Sequence, residues 1–197
     1  MKDFEVAAYA QYLGQLLGSE QGIFLAGSAP PGRPADQNER WQMGREIRKG
    51  DTYRQLVENS GPGGYYTELA RFIVVGRATQ EQKDAVACSV AAQHETLKRL
   101  KPGTSCQEIY AAHNEYMRGK GLPEDQRLYC HGQGYDLVER PLIRHDESMS
   151  IQESMNIVCH PGFANATVAG GICDNYIIGP DGPVAIHKTP QVILETE

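Results

Sequence analysis

Two histidines, His131 and His160, each close a short apolar stretch, which makes them the first candidates for chemistry in this chain. His131 lies in Cys130-His131-Gly132-Gln133-Gly134-Tyr135, where two glycines leave the imidazole uncrowded and let the backbone bend away from it. Such a ring can act as a proton shuttle or a metal ligand, although a structural histidine is the commoner outcome for a lone motif of this kind. His160 ends Val158-Cys159-His160-Pro161-Gly162, with Pro161 terminating the strand. A satisfied core histidine is the competing reading there. Glu68 stands in the middle of an apolar strand, on the face it shares with Tyr66 and Ala70 and opposite Thr67, Leu69 and Arg71. It is either solvent-facing or paired inside a site. Asp136-Leu137-Val138-Glu139-Arg140-Pro141 flanks an apolar pair with charges, as a salt-bridged surface loop or a substrate contact does. Gly170-Gly171-Ile172-Cys173-Asp174-Asn175 brings Asp174 to the start of a strand, where an Asp-Asn pair more often serves a turn than catalysis.

The elements that must position these groups can be read from periodicity and punctuation. Apolar residues at near-helical spacing predict a helix over 3–17, closed by Gly18-Ser19. Ile23–Ala26 reads as a short strand, followed by a Pro- and Gly-rich loop over 28–36. Tyr53–Glu58 and Tyr65–Val75, joined by Gly61-Pro62-Gly63-Gly64, predict an antiparallel hairpin. Thr79-Gln80-Glu81-Gln82 and Ser105-Cys106-Gln107-Glu108 are capping-box patterns that open two helices, the first stopped by Lys101-Pro102-Gly103. Beyond Pro123 come short strands at 128–131, 155–159, 175–178, 184–186 and 192–195. The order predicts one α+β domain over 1–197, an antiparallel sheet with helices on one face.

Taken in order, these segments resemble the creatinase/prolidase/methionine aminopeptidase, or "pita-bread", family. Tyr65 to Gly76 is similar to that family's strand carrying a metal-binding Asp. Leu100-Lys101-Pro102-Gly103 resembles its inter-helix turn, and His131-Gly132-Gln133-Gly134 its His-Gly-x-Gly. Glu139-Arg140-Pro141 matches its Glu-x-Pro. Ser154 to Gly162 matches its Gly-Met-x-x-x-x-Glu-Pro-Gly segment, and Gly170 to Ile178 its closing strand. His187-Lys188-Thr189-Pro190 is similar to its tail. The resemblance implies that more chain usually precedes the matched region, so the sequence is expected to be a C-terminal fragment, a split gene product or a trimmed variant.

Family peptidases hold two divalent metals with two Asp, one His and two Glu, and this ligand set is eroded here. The first Asp position falls at Val57 or Glu58 and the second at Glu68, while the His is kept as His131. The first Glu has become His160, and the second falls at Cys173-Asp174. A second family histidine is Val138, and an upstream one has no counterpart among Gln37, Asn38 and Glu39. Two cations about 3.5–4 Å apart need several bridging carboxylates. No cofactor is therefore expected, and at most one divalent metal, on Glu68, His131 and His160.

Creatinase is the precedent that the resemblance offers for catalysis without metal. The expected function is a metal-independent hydrolysis of a C–N bond in a small polar metabolite or peptide. His131, His160 and Glu68 would be its catalytic residues, with Tyr65, Glu139 and Asp174 binding substrate. The alternatives are a Xaa-Pro or methionine aminopeptidase-type metallopeptidase with altered ligands, and an inactive peptide- or ligand-binding protein. An apolar face left by the missing chain implies a homo-oligomer or pairing with a second chain.

Composition excludes other classes. A net charge of -6 and the lack of a Lys/Arg stripe argue against nucleic acid as the main partner. No apolar run approaches a membrane span and no signal-peptide pattern opens the chain, so the expected location is cytoplasmic. Five cysteines without CxxC spacing predict reduced, mostly buried thiols.

Overall fold

The computed structural model describes residues 1–35 and 44–196; Gln37, Asn38 and Glu39 lie outside them. Helix α1 (Asp3–Leu16) leads into a meander of three long strands, β1 (Gln21–Ala29), β2 (Thr52–Ser60) and β3 (Tyr66–Val74). Helices α2 (Gln80–Leu97) and α3 (Cys106–Gly119) follow. Short strands complete the chain: β4 (Cys130–Gly132), β5 (Glu139–Leu142), β6 (Asn156–Cys159), β7 (Gly162–Ala164), β8 (Ala169–Gly171), β9 (Asp174–Gly179), β10 (Gly182–Ala185) and β11 (Leu194–Glu195).

The strands form two principal sheets, ordered β1-β2-β3-β11 and β10-β9-β6-β4-β5. A bridge between Ala70 and Cys173 joins them, and Leu56, Ala70, Val158 and Cys173 pack at the seam. Pairing is antiparallel except at β11, which runs parallel to β3. Behind the second sheet lies the largest apolar cluster, in which Ile109 and Leu100 meet Tyr129, Ile143, Ile157 and Ile178. Burial of this order, about 25 cal/mol per Å² of apolar surface, supplies the main drive for the fold.

The Thr79 capping box forms as predicted: Thr79 Oγ1 accepts from Gln82 N at 3.2 Å, and Gln82 Oε1 accepts from Thr79 N at 2.7 Å. Ser105 caps α3 without a side-chain bond; its backbone bridges Ser150, and the Cys106 N–H donates to Met149 O. A tertiary partner thus replaces the predicted box at that helix start. The five cysteines are free thiols, four of them buried. No helix among the described residues is long and apolar enough to cross a membrane.

Candidate active site

The register of β2 against β3 sets Glu58 directly across from Glu68, and Leu56 across from Ala70. Directly opposed residues share a sheet face. Of the two positions offered by the sequence, Glu58 rather than Val57 therefore shares Glu68's face, which looks toward the second sheet. From that sheet β4 brings His131, and His160 follows the end of β6. Ligand-capable atoms of Glu68, His131 and His160 all lie within 4.8 Å of one another. The two imidazoles meet edge to face, with centroids 5.3 Å apart and an interplanar angle of 70°.

Hydrogen bonding settles which ring nitrogens carry protons. His131 Nδ1 lies 2.8 Å from Gly132 O, and a carbonyl can only accept. Nδ1 therefore holds the hydrogen, and Nε2 presents a lone pair. His160 Nδ1 lies 3.2 Å from Nη2 of Arg127, and a guanidinium can only donate. In the neutral ring of His160 the hydrogen is consequently on Nε2. Both rings are biased toward the neutral form: burial lowers the pKa of His131, and burial, then the neighbouring His131 and Arg127, lowers that of His160 well below normal.

The carboxyls are perturbed in the opposite sense. Burial, then the charge of Glu68, pushes Glu58 up to about 8, so it holds a proton at neutral pH. Glu68 is also raised by burial. Behind them runs a chain of amides. Gln133 Nε2 donates to Glu58 Oε1 at 2.8 Å, and Asn175 Nδ2 donates to Gln133 Oε1 at 2.8 Å. Asn175 Nδ2 also donates to Asn156 Oδ1 at 3.0 Å, while Asn175 Oδ1 accepts from Glu68 N at 2.6 Å. His187 joins at the rim, its Nε2 3.4 Å from Asn175 Oδ1.

The remaining sequence candidates stand apart from this cluster. Asp174 projects to the other side of β9, where it pairs with Arg71 at 2.7 Å and accepts from Gln191 at 2.9 Å. Tyr65 is exposed and packs edge-on against Tyr135, with centroids 4.8 Å apart. Glu139 Oε1 accepts from Asp136 N at 2.9 Å and so closes the turn after β4. The glycines of His131-Gly132-Gln133-Gly134 serve close approach rather than a bend. A Cβ at Gly132 would lie 2.6 Å from Arg140 O, and one at Gly134 2.6 Å from a Glu139 oxygen.

Sequence reasoning missed Gln133, Asn156, Asn175, His187 and Arg127 as site residues. Strand alternation could have found Asn175, which must share a face with Cys173. Arg127 is an exposed loop arginine whose role depends on where the loop folds.

The family model for metallopeptidase family M24 matches residues 18–182. The chain belongs to metallopeptidase family M24. An M24 relative, the Xaa-Pro dipeptidase of Pyrococcus horikoshii, is 25% identical over 98% of this chain and 55% of its own length. The creatinase of Bacillus sp. is 25% identical over 62% of this chain and 29% of its own length. Among solved structures, an X-Pro aminopeptidase from Thermotoga maritima superposes with a TM-score of 0.88 at 20% identity, covering all of this chain (100%) and 56% of that one. The chain thus spans about half the length of the curated relatives it matches.

The donors present do not fit a pair of metal ions. An imidazole, His160, stands where the resemblance places an acid, and Arg127 adds a fixed positive charge beside it. A single ion finds suitable donors in Glu68 and in the bare Nε2 of His131. His160 is a poor third ligand, because its Nε2 bears a hydrogen while Arg127 occupies Nδ1.

Proposed function

We propose that this chain carries a metal-independent hydrolase centre that breaks a C–N bond in a small polar metabolite or short peptide. One observation carries the reading: the two histidines present opposite protonation at their open nitrogens, a lone pair on His131 Nε2 and a hydrogen on His160 Nε2. A base and a hydrogen-bond donor therefore stand side by side, both rings neutral at physiological pH. Water loses a proton to His131 Nε2 as its oxygen bonds to the carbon of the C–N bond. That bond then breaks as the His131 imidazolium returns the proton to the departing nitrogen, while His160 Nε2–H donates a hydrogen bond to the reacting group. Glu68 orients the rings or holds a substrate cation, and protonated Glu58 adds a second hydrogen donor. Tyr65, paired with Tyr135, and Glu139, which closes the turn after β4, are further candidates for substrate contact outside the cluster.

The similarity to a creatinase supports a small polar substrate, and the similarity to Xaa-Pro dipeptidases supports a short peptide. A second copy or chain would cover the exposed Tyr9, Tyr12, Leu13, Leu16 and Leu17 of and just after α1.

The test is hydrolysis of creatine and a set of Xaa-Pro dipeptides in excess EDTA. Turnover should survive chelation and fall by about 10²- to 10⁴-fold in His131→Gln, the usual worth of a general base. Activity that vanished with EDTA and returned with Mn²⁺ would restore the metallopeptidase reading. Binding without cleavage would make the protein a ligand-binding relative.

A further inference from the structure

The loop between α3 and β4 reaches the Glu68-His131-His160 cluster. Arg127, on that loop, donates to His160 Nδ1 at 3.2 Å. We propose that Arg127 is a resident organic cation that keeps divalent metals out of the Glu68-His131-His160 cluster, and that a buried latch between its loop and α3 holds it there.

Two effects of the guanidinium act in the same direction. It takes the lone pair of neutral His160 on Nδ1 and leaves a hydrogen on Nε2, so neither ring nitrogen is bare for an ion. It also places a permanent positive charge near Glu68, the one acid of the group, and thereby opposes a dication by charge alone. Among the described residues, no carboxylate lies within ion-pair distance of Arg127 to neutralise it.

The latch consists of Asp125 and His113. Asp125, 6% exposed, anchors the loop two residues before Arg127. Its N–H donates to Asn114 Oδ1 at 2.9 Å and its carbonyl accepts from Tyr110 Oη at 3.5 Å, while its carboxylate lies 3.7 Å from His113 Nε2, an ion-pair distance beyond hydrogen-bond reach. Glu124, next in the loop, pairs with Arg118 of α3 at 2.5 Å. His113 in turn stacks on Tyr129, with centroids 3.8 Å apart and planes 13° off parallel. The carbonyl of Tyr129 accepts the backbone N–H of His160 at 2.7 Å. One helix therefore fixes both partners of the Arg127–His160 bond, the arginine through Asp125 and the histidine through Tyr129. Asp125 and His113 are positioning residues in this arrangement; neither touches the cluster.

The experiment titrates Zn²⁺ or Mn²⁺ into wild type, Arg127→Ala, Arg127→Lys and Asp125→Ala by calorimetry, with stoichiometry from equilibrium dialysis. Arg127→Ala should gain one ion per chain, with affinity raised on the order of 10- to 100-fold, the range over which outer partners tune a metal site. Arg127→Lys keeps a charge and a donor, so it should stay close to wild type. Asp125→Ala should show part of the gain. Should that buried substitution prevent folding, Arg127→Ala still decides, since its side chain is exposed. Adding His160→Ala to Arg127→Ala should abolish the new site. Equal affinity in wild type and Arg127→Ala, or a gain that survives His160→Ala, would overturn the proposal. Exclusion of metal is what the proposed metal-free reaction rests on, yet calorimetry reads no turnover. A gain in Arg127→Ala with no hydrolysis by any variant would sustain the exclusion and remove the hydrolase. Hydrolysis by wild type with no gain would do the reverse.

Discussion

Loading the wild-type protein with divalent metal gives the most direct check on the electrostatics of the site. Two dications about 3.8 Å apart repel by roughly 17 kcal/mol at an effective dielectric constant of about 20. Bridging acids must offset that repulsion, and among the described residues the acids on this face are Glu58 and Glu68. Glu58, pushed up to about 8 by burial and by Glu68, holds a proton at pH 7, and burial raises Glu68 as well, so the pair carries at most one negative charge rather than two. Against it stand two dications and the Arg127 guanidinium. Even if both acids ionised in response to metal, the two anions could not neutralise the two ions. The protein should therefore be dialysed against excess Mn²⁺ or Zn²⁺, washed free of unbound ion and measured by elemental mass spectrometry. The expected result is at most one ion per chain. Two ions per chain, both lost in His131→Ala, would show that amides and imidazoles can hold a dinuclear centre here and would refute the charge argument.

Four further predictions rest on separate contacts. Glu147 is held down to about 2, first by its bond to Arg140 and then by backbone N–H donors from Leu142 and Met149. Its folded pKa lies below the unfolded value of about 4.3, so its stabilisation is complete above that value and is lost as pH falls toward 2. Urea melts should show this acid loss in wild type and not in Glu147→Ala. Gly132→Ala must displace Arg140 O, which lies 2.6 Å from the new Cβ, so the strand pair β4–β5 should lose about 1–3 kcal/mol by chemical denaturation. Asn175→Leu leaves the Glu68 N–H and two amide partners without a bond, and should cost on the order of 2–4 kcal/mol even though no charge is removed. Replacing Leu16 and Leu17, which are 66% and 84% exposed, with Glu should shift any dimer seen by light scattering to monomer without lowering the melting temperature.

Most of the secondary structure was readable because local rules and tertiary packing agree. The Tyr66–Val74 strand alternates, the turn after Ser60 is glycine-rich, and Thr79 with Gln82 completes its box in the fold. The misses have one physical origin, which is that a distant partner decided the outcome. Glu139–Leu142 looks like a charged loop with a proline, yet it becomes an edge strand because β4 offers it a ladder. β7 and β8 are three residues each and pair only with one another, too short for any periodicity to register. Ser105 has the residues for a capping box, and its helix start is satisfied by Met149 instead.

The same distinction separates the parts of the site. His131, His160 and Glu68 stand in segments whose form is locally determined, so they could be picked out from one sequence. What the rings can do depends on which nitrogen is hydrogen-bonded, and that is set by a carbonyl one residue away for His131 and by an arginine 33 positions earlier for His160. Asp174 shows the converse. The family resemblance made it a substrate-binding candidate, but β-strand alternation turns it away from the cluster and presents Asn175 instead. A one-residue change of register on β9 would exchange the two, putting an acid beside Glu68 and an amide against Arg71. The resulting loss of the buried ion pair, with one more anion crowded next to Glu58 and Glu68, shows why register and charge must be read together when ligands in this family are judged present or absent.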